Sequence, residues 1–181
     1  INQLTSLDVS GSTALTKLSC NDNQLETLNI SGCTSLEEIY CDENRLTSLD
    51  VSGSTALITL RCRDNKLTSL YVSGCTALNA LWCDNNQLTS LDLTSCTGLK
   101  SFSLYNQKYY IEGNTGSYPL SSLPAGFDPA RASNWSGAEY DSDTNVLYNF
   151  RTGTVTYTYD CGNGRTMDVT LADSNFEVPI N

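Results

Sequence analysis

The sequence predicts a solenoid, almost all strand and turn with little or no helix, followed by a small β-rich domain or cap. Three observations predict it. An 11-residue run, L-I-T-L-R-C-R-D-N-K-L at Leu57–Leu67, recurs every 21 residues. Each 21-residue unit carries a second, related run in its other half. Leucine periodicity then stops at Lys108, and seven of the ten tyrosines lie beyond it. A fixed period of this length marks stacked units, none of which can bury its apolar face alone.

The recurring run has the spacing L-x-x-L-x-C-x-x-N-x-L, the leucine-rich-repeat signature with Cys in one strand position. It is found at Leu15, Leu18, Cys20, Asn23 and Leu25, at Leu36, Ile39, Cys41, Asn44 and Leu46, and at Leu78, Leu81, Cys83, Asn86 and Leu88. The other half reads L-T-S-L-D-V-S-G-S at Leu4–Ser12 and Leu46–Ser54, and L-E-T-L-N-I-S-G-C at Leu25–Cys33. Each coil therefore has a short strand on both sides. Twenty-one residues cannot also hold a full helix, so within the α/β-horseshoe class of leucine-rich repeats this is a nearly helix-free variant. Ser-Gly pairs at Ser10-Gly11, Ser31-Gly32, Ser52-Gly53 and Ser73-Gly74 mark the turns between halves. Residues 1–107 form about five such coils, and 108–181 the β-rich part.

The asparagines have a mechanical role. The turn after each strand leaves backbone groups away from water, and an amide side chain can satisfy those of its own coil and the next. Asn2, Asn23, Asn44, Asn65 and Asn86 form this ladder. Gln107 falls in its last rung, and Leu104 replaces the core cysteine, marking the end of the stack.

The eight cysteines follow the period rather than a pairing scheme. Cys20, Cys41, Cys62 and Cys83 share one register. Cys33, Cys75 and Cys96 share another, where Ser12 and Ser54 fill the same slot and a thiol or hydroxyl can donate. Reduced thiols packed in the core as small hydrophobes fit this best. The rival is a Cys75–Cys96 disulfide, since strands ~4.8 Å apart fall within disulfide range, although parallel side-chain vectors suit it poorly. Cys161 stands alone in its region.

Beyond Lys108, Leu120–Pro129 reads as an ordered turn or connection. Val146–Phe150 is a short apolar run. Val155–Asp160 and Arg165–Leu171 alternate strictly around Gly162-Asn163-Gly164, a hairpin on an Asn-Gly turn. Asp141, Asp143 and Asn145 have the D-x-D-x-N start of a calcium loop but lack its Gly and distal Glu. A solvated turn before Val146 fits them better, with metal binding the weaker alternative. Trp135, in an Asn134-Trp135-Ser136 glycosylation pattern, reads as a core aromatic before a sugar-stacking one.

Net charge is −10, with ten Lys and Arg and no histidine. That disfavours nucleic acid and anionic membrane surfaces, and no apolar run is long enough to span a bilayer. The missing histidine removes the commonest general base and metal ligand. No G-x-S-x-G or phosphate loop occurs, and Glu37 and Glu38 point to opposite sides of a strand. The expectation is a monomer with no enzymatic activity and no cofactor.

A solenoid binds through the exposed positions of a strand face. In the first half the middle position reads Asp8, Asn29, Asp50, Tyr71, Asp92, a solvated acidic edge. In the second half it reads Ser19, Tyr40, Arg61, Trp82, Ser103, flanked by Lys17, Glu38, Thr59, Ala80, Ser101 and by Asn21, Asp42, Arg63, Asp84, Tyr105. This face varies from coil to coil and carries the residue types enriched at binding hot spots. Tyr40, Arg61, Arg63, Trp82, Asp84 and Tyr105 are the candidate contact residues. The plainer reading is a self-stacking column in which Arg61 makes cation–π contacts to Tyr40 and Trp82.

The nested pattern over residues 1–107 resembles the short bacterial leucine-rich repeats, in particular the 21-residue type with two L-x-x-L-x-L-like halves. The resemblance implies a secreted or surface-displayed protein that binds other macromolecules, the partner being a protein or a glycan. F-D-P-A-R-A-S-N-W-S-G at Phe127–Gly137 and V-T-Y-T-Y-D-C-G-N-G-R-T at Val155–Thr166 look like a module that follows such repeats in surface proteins of anaerobic gut Firmicutes, which implies location rather than activity. Asn2 and Leu4 share the register of Asn23 and Leu25, so the chain begins inside a repeat, and a longer natural protein with an upstream signal peptide is expected.

Overall fold

In the computed structural model, which describes residues 2–111, 117–150 and 153–173, the repeats stack as a leucine-rich-repeat solenoid. Every solenoid strand is three residues long, because each coil turns away as soon as its leucine is buried. The second halves contribute β2 (Lys17–Ser19), β4 (Glu38–Tyr40), β6 (Thr59–Arg61), β8 (Ala80–Trp82) and β9 (Ser101–Ser103), which form one parallel five-stranded sheet. The first halves contribute β1 (Ser6–Asp8) paired with β3 (Thr27–Asn29), and β5 (Ser48–Asp50) paired with β7 (Ser69–Tyr71). Every pairing joins a residue to the one 21 positions on, for example Leu60 to Leu81. The strand pairing thus carries the sequence period directly into the structure.

The leucine positions point inward. Leu25, Leu36, Leu46, Leu57, Leu60, Leu67, Leu78, Leu81 and Leu88 are fully buried. Each such side chain contributes roughly 1.5–3 kcal/mol through burial. Backbone bonds continue the stack past the strands, from Cys20 N–H to Tyr40 O, Cys41 to Arg61, Cys62 to Trp82 and Cys83 to Ser103, at 2.8–3.1 Å. Phe102 departs from its register. It occupies the slot of Leu60 and Leu81 yet is 43% exposed, because among the described residues this sheet has no sixth strand beyond β9; the Arg165 guanidinium lies 5.7 Å from its ring.

Asn23, Asn44, Asn65 and Asn86 bond from coil to coil through their side chains, while Asn2 is exposed and joins the stack through its backbone N–H to Asp22 O. Asn65 accepts from Leu46 N–H at 3.0 Å, and its amide donates to the carbonyls of Cys41, Cys62 and Arg63. Asn44 and Asn86 repeat this pattern. Asn23 makes the bonds within reach of the first coil. Gln107 supplies a full rung, accepting from Leu88 N–H and donating to Cys83 O at 2.9 Å. The residue before each rung, Asp22, Glu43, Asp64, Asn85 or Asn106, has φ between 53° and 58°. That left-handed position is where Asp and Asn are best tolerated. The Ser-Gly turns place Gly11, Gly32, Gly53 and Gly74 at positive φ as well.

All eight cysteines are free and buried, and the Cys75–Cys96 disulfide does not form. Instead the thiols donate. Cys33 reaches Val9 O at 3.0 Å, Cys75 reaches Val51 O at 3.1 Å and Cys96 reaches Val72 O at 3.7 Å. Each bridges to the coil before it, so the side-chain vectors are committed to carbonyls rather than to one another. Burial pushes the Cys20 and Cys75 thiols up to about 11 and Cys161 up to about 12. The same cause raises Cys41 and Cys62 well above the ordinary thiol value. These thiols stay protonated at neutral pH, which removes thiolate chemistry from them.

The C-terminal strands form two sheets. In the first, β10 (Gln107–Ile111) runs parallel to β16 (Arg165–Asp173), which pairs antiparallel with β15 (Thr154–Gly162), and β15 with β12 (Ala132–Ser136). In the second, β11 (Ser117–Pro119) and β13 (Glu139–Asp141) flank β14 (Val146–Tyr148). Leu120–Ser122 and Pro129–Arg131 are 3-10 turns, the only helical turns among the described residues. The β15–β16 turn is Asn163-Gly164, both at positive φ, as an Asn-Gly hairpin requires.

Strand β15 takes the place of a further coil. Leu93 N–H donates to Cys161 O at 2.8 Å, repeating the bond that Val51 N–H makes to Tyr71 O between coils. Tyr157 Oη donates to Thr89 O at 2.7 Å, and Asn163 Nδ2 donates to the carbonyls of Leu93 and Thr94. Arg165 donates to Leu99 O at 2.7 Å. Buried residues of the coils and of β15–β16 belong to one continuous apolar cluster, in which Cys161 is fully buried.

Two smaller features of the C-terminal part are set by local contacts. Asp141 accepts from the Asp143 and Thr144 N–H groups and from the Thr144 hydroxyl, while Asn145, at φ 54°, accepts from Tyr140 Oη at 2.7 Å. The D-x-D-x-N run is thus the hairpin turn between β13 and β14. No group of three His, Cys, Asp or Glu suited to a metal occurs among the described residues. Trp135 packs between Tyr140 (5.1 Å, stacked) and Tyr157 (4.5 Å), partly buried against the core. No helix of the described residues is long and apolar enough to cross a membrane.

Candidate functional site: the variable strand face

The five-stranded sheet presents its non-leucine positions outward, one column per strand position. Tyr40, Arg61 and Trp82 are direct neighbours, since β4 pairs Tyr40 with Arg61 and β6 pairs Arg61 with Trp82. All three are partly buried. The Arg61 guanidinium carbon lies 5.9 Å from the Tyr40 ring centre and 5.7 Å from that of Trp82. Arg63 lies 5.6 Å from the same indole. Each of these distances is within cation–π reach.

Every cation on this face has its own carboxylate. Lys17 Nζ is 2.7 Å from Glu38 Oε2, which also accepts from Tyr40 Oη at 3.2 Å. The Lys17 bond and then the Tyr40 hydroxyl hold the Glu38 carboxyl below its usual range, and Glu38 holds the Lys17 amine above its own. Arg61 Nε approaches Asp42 Oδ2 at 3.1 Å, and Arg63 Nε approaches Asp84 Oδ2 at 2.8 Å. Neither arginine N–H is aligned on its oxygen, so these are ion pairs rather than directed hydrogen bonds. The sheet therefore offers aromatic and guanidinium planes already held in place, with no net charge among these pairs.

The flanking column differs from its sequence reading. Asp84 is 1% exposed, so it is not a contact residue. Its Oδ1 accepts from Tyr105 N–H on the next coil at 3.2 Å while its other oxygen faces Arg63. Asp42 does the same for Arg63 N–H and Asn21 for Asp42 N–H, both at 2.8 Å. Asn21, Asp42 and Asp84 are thus a second ladder, in which short side chains turn back to cap the neighbouring backbone. The visible signal was the alternation of Asn and Asp at one register, interrupted by Arg63. Tyr105 closes the column and is 65% exposed. Four candidates then remain around one surface, Tyr40, Arg61, Arg63 and Trp82, with Tyr105 at its C-terminal rim.

No family model and no curated protein matches the chain. Among solved structures it is similar to the functional domain of InlJ from Listeria monocytogenes, a domain that includes a cysteine ladder. The two are 21% identical with a TM-score of 0.54, and the match covers 96% of this chain and 60% of that one. At this identity the likeness is one of fold: a leucine-rich-repeat solenoid, of which this chain spans somewhat over half the length of its neighbour.

Proposed function

We propose that the chain is a non-enzymatic interaction module, secreted or displayed on a cell surface, that binds a protein or glycan through Tyr40, Arg61, Arg63, Trp82 and Tyr105. One observation carries this reading: three large side chains on adjacent coils are partly exposed yet already held in place by one another. Binding through such groups forfeits little side-chain entropy, because their rotamers are restricted beforehand. The face also changes from coil to coil while the core does not. A scaffold alone needs only the core to repeat.

The runner-up is a spacer that displays other domains. It draws on the same contacts, since a column whose charges are all matched internally can serve only the sheet. The two separate on arrays of extracellular proteins and of glycans, probed with the wild-type chain and with the Tyr40→Ala, Arg61→Ala, Trp82→Ala triple variant. The expected outcome is at least one captured partner whose signal falls tenfold or more in the triple variant, with the circular dichroism spectrum unchanged. Undiminished capture by the variant refutes the face, and no capture by either chain leaves the spacer reading.

A further inference from the structure

We propose that a cleft between the fourth and fifth coils and the C-terminal strands binds one ring of a neutral saccharide, at a site separate from the strand face described above. The cleft has a volume of about 360 Å³ and is lined by Tyr71, Ser90, Asp92, Ser95, Gly126 and Arg131 among others. That lies in the roughly 300–1,000 Å³ range of small-molecule sites.

Tyr71 is the residue the fold does not ask for. In the same register Asp8, Asn29, Asp50 and Asp92 each accept a hydrogen bond from the N–H two residues on, at 2.8–3.1 Å, and so tie the turn of their own coil. A tyrosine cannot make that bond. Coil four gives up the turn contact and places a ring 47% exposed to solvent instead. A local rule broken without a packing return is expected at functional positions. The break falls where the C-terminal region closes over the solenoid and supplies Gly126 and Arg131.

Arg131 is fixed before any ligand arrives. Its Nε donates to Asp160 O at 2.8 Å, its guanidinium lies 5.3 Å from the Tyr159 ring centre, and its Nη2 stands 3.5 Å from Asp92 Oδ1. The Asp92 side chain is 61% exposed. One acceptor and one donor of opposite charge thus sit side by side next to an exposed aromatic ring. A charged ligand would match one of the pair and oppose the other. A vicinal diol matches both, one hydroxyl donating to the Asp92 carboxylate and its neighbour accepting from Arg131. The C–H face of the same sugar ring then lies on Tyr71, and the hydroxyls of Ser90 and Ser95 line the remainder.

The test is saturation-transfer NMR on the whole chain with the methyl glycosides of glucose, galactose, mannose and N-acetylglucosamine, and with glucuronic acid as the charged control. Tyr71→Ala removes the platform. Asp92→Asn keeps the turn, as Asn29 does in coil two, but removes the charge. Trp82→Ala alters only the other face. The expected result is transfer to the ring protons of at least one neutral glycoside, weakened tenfold or more by Tyr71→Ala and by Asp92→Asn and unchanged by Trp82→Ala. Melting temperatures of the variants report their folding. The proposal is overturned by binding of the acid alone, by no glycoside binding, or by binding that survives both cleft substitutions. Loss in Trp82→Ala only would overturn it too, and would move the sugar to the strand face.

Discussion

At the scale of single residues, the stack depends on side chains that act as backbone partners. Asn65 satisfies one buried N–H and three carbonyls across two coils. Asn65→Ala leaves all four without that partner, and a buried group left unpaired costs about 1–3 kcal/mol. Since the carbonyls relax more easily than the Leu46 N–H, a loss of roughly 3 kcal/mol is expected, read as a lower denaturant midpoint at unchanged slope. Glu43 shows the opposite case. Repulsion from Asp22, together with a shared carboxyl contact to it, raises the Glu43 carboxyl above its ordinary value. The folded state therefore holds that proton more tightly than the unfolded one, and this contribution to stability is lost as pH rises through the folded-state value. Glu43→Gln is expected to raise the melting temperature at pH 7, with the gain fading once the pH falls below the glutamate range. A gain that persists at low pH would mean the effect is not one of charge.

At the scale of elements, the β15–β16 hairpin is seated by one close approach. Gly162 has φ 88°, and a Cβ there would meet Thr94 Cγ2 at 2.6 Å. Gly162→Ala both strains the backbone, by about 1–3 kcal/mol, and pushes the hairpin off the fifth coil. The expected readout is faster exchange of the Leu93 backbone amide and of the Asn163 side-chain amide, partly restored by Thr94→Ser, which removes the clashing methyl. No restoration would place the whole effect in the backbone strain. The solenoid strands and this hairpin were legible in the sequence because period 21, period 2 and an Asn-Gly turn are local signals. The docking of the hairpin was not. It rests on Leu93 bonding to Cys161 and Tyr157 to Thr89, pairs nearly 70 residues apart that share no pattern. Asp84 was misread for a related reason: its register faces outward, but a carboxylate is short enough to turn back onto the neighbouring coil, and only the geometry reveals that it does.

At the scale of the whole molecule, the central claim is continuity. The coils do not end at Gln107 but hand their hydrogen bonds and their core to strands that come much later in the chain, so the strand face and the cleft are held by one stacked body. The two tryptophans report on its two parts. Trp82 lies on coil four and Trp135 in the C-terminal aromatic cluster. Each is isolated by replacing the other with phenylalanine, and urea unfolding is followed by fluorescence in both variants, after correcting for any change in overall stability seen by circular dichroism. Coincident transitions are expected, since coupled units unfold together when their interfaces are strong. A Trp135 transition at clearly lower urea than that of Trp82 would contradict continuity and make the C-terminal strands an independent domain resting on the last coil.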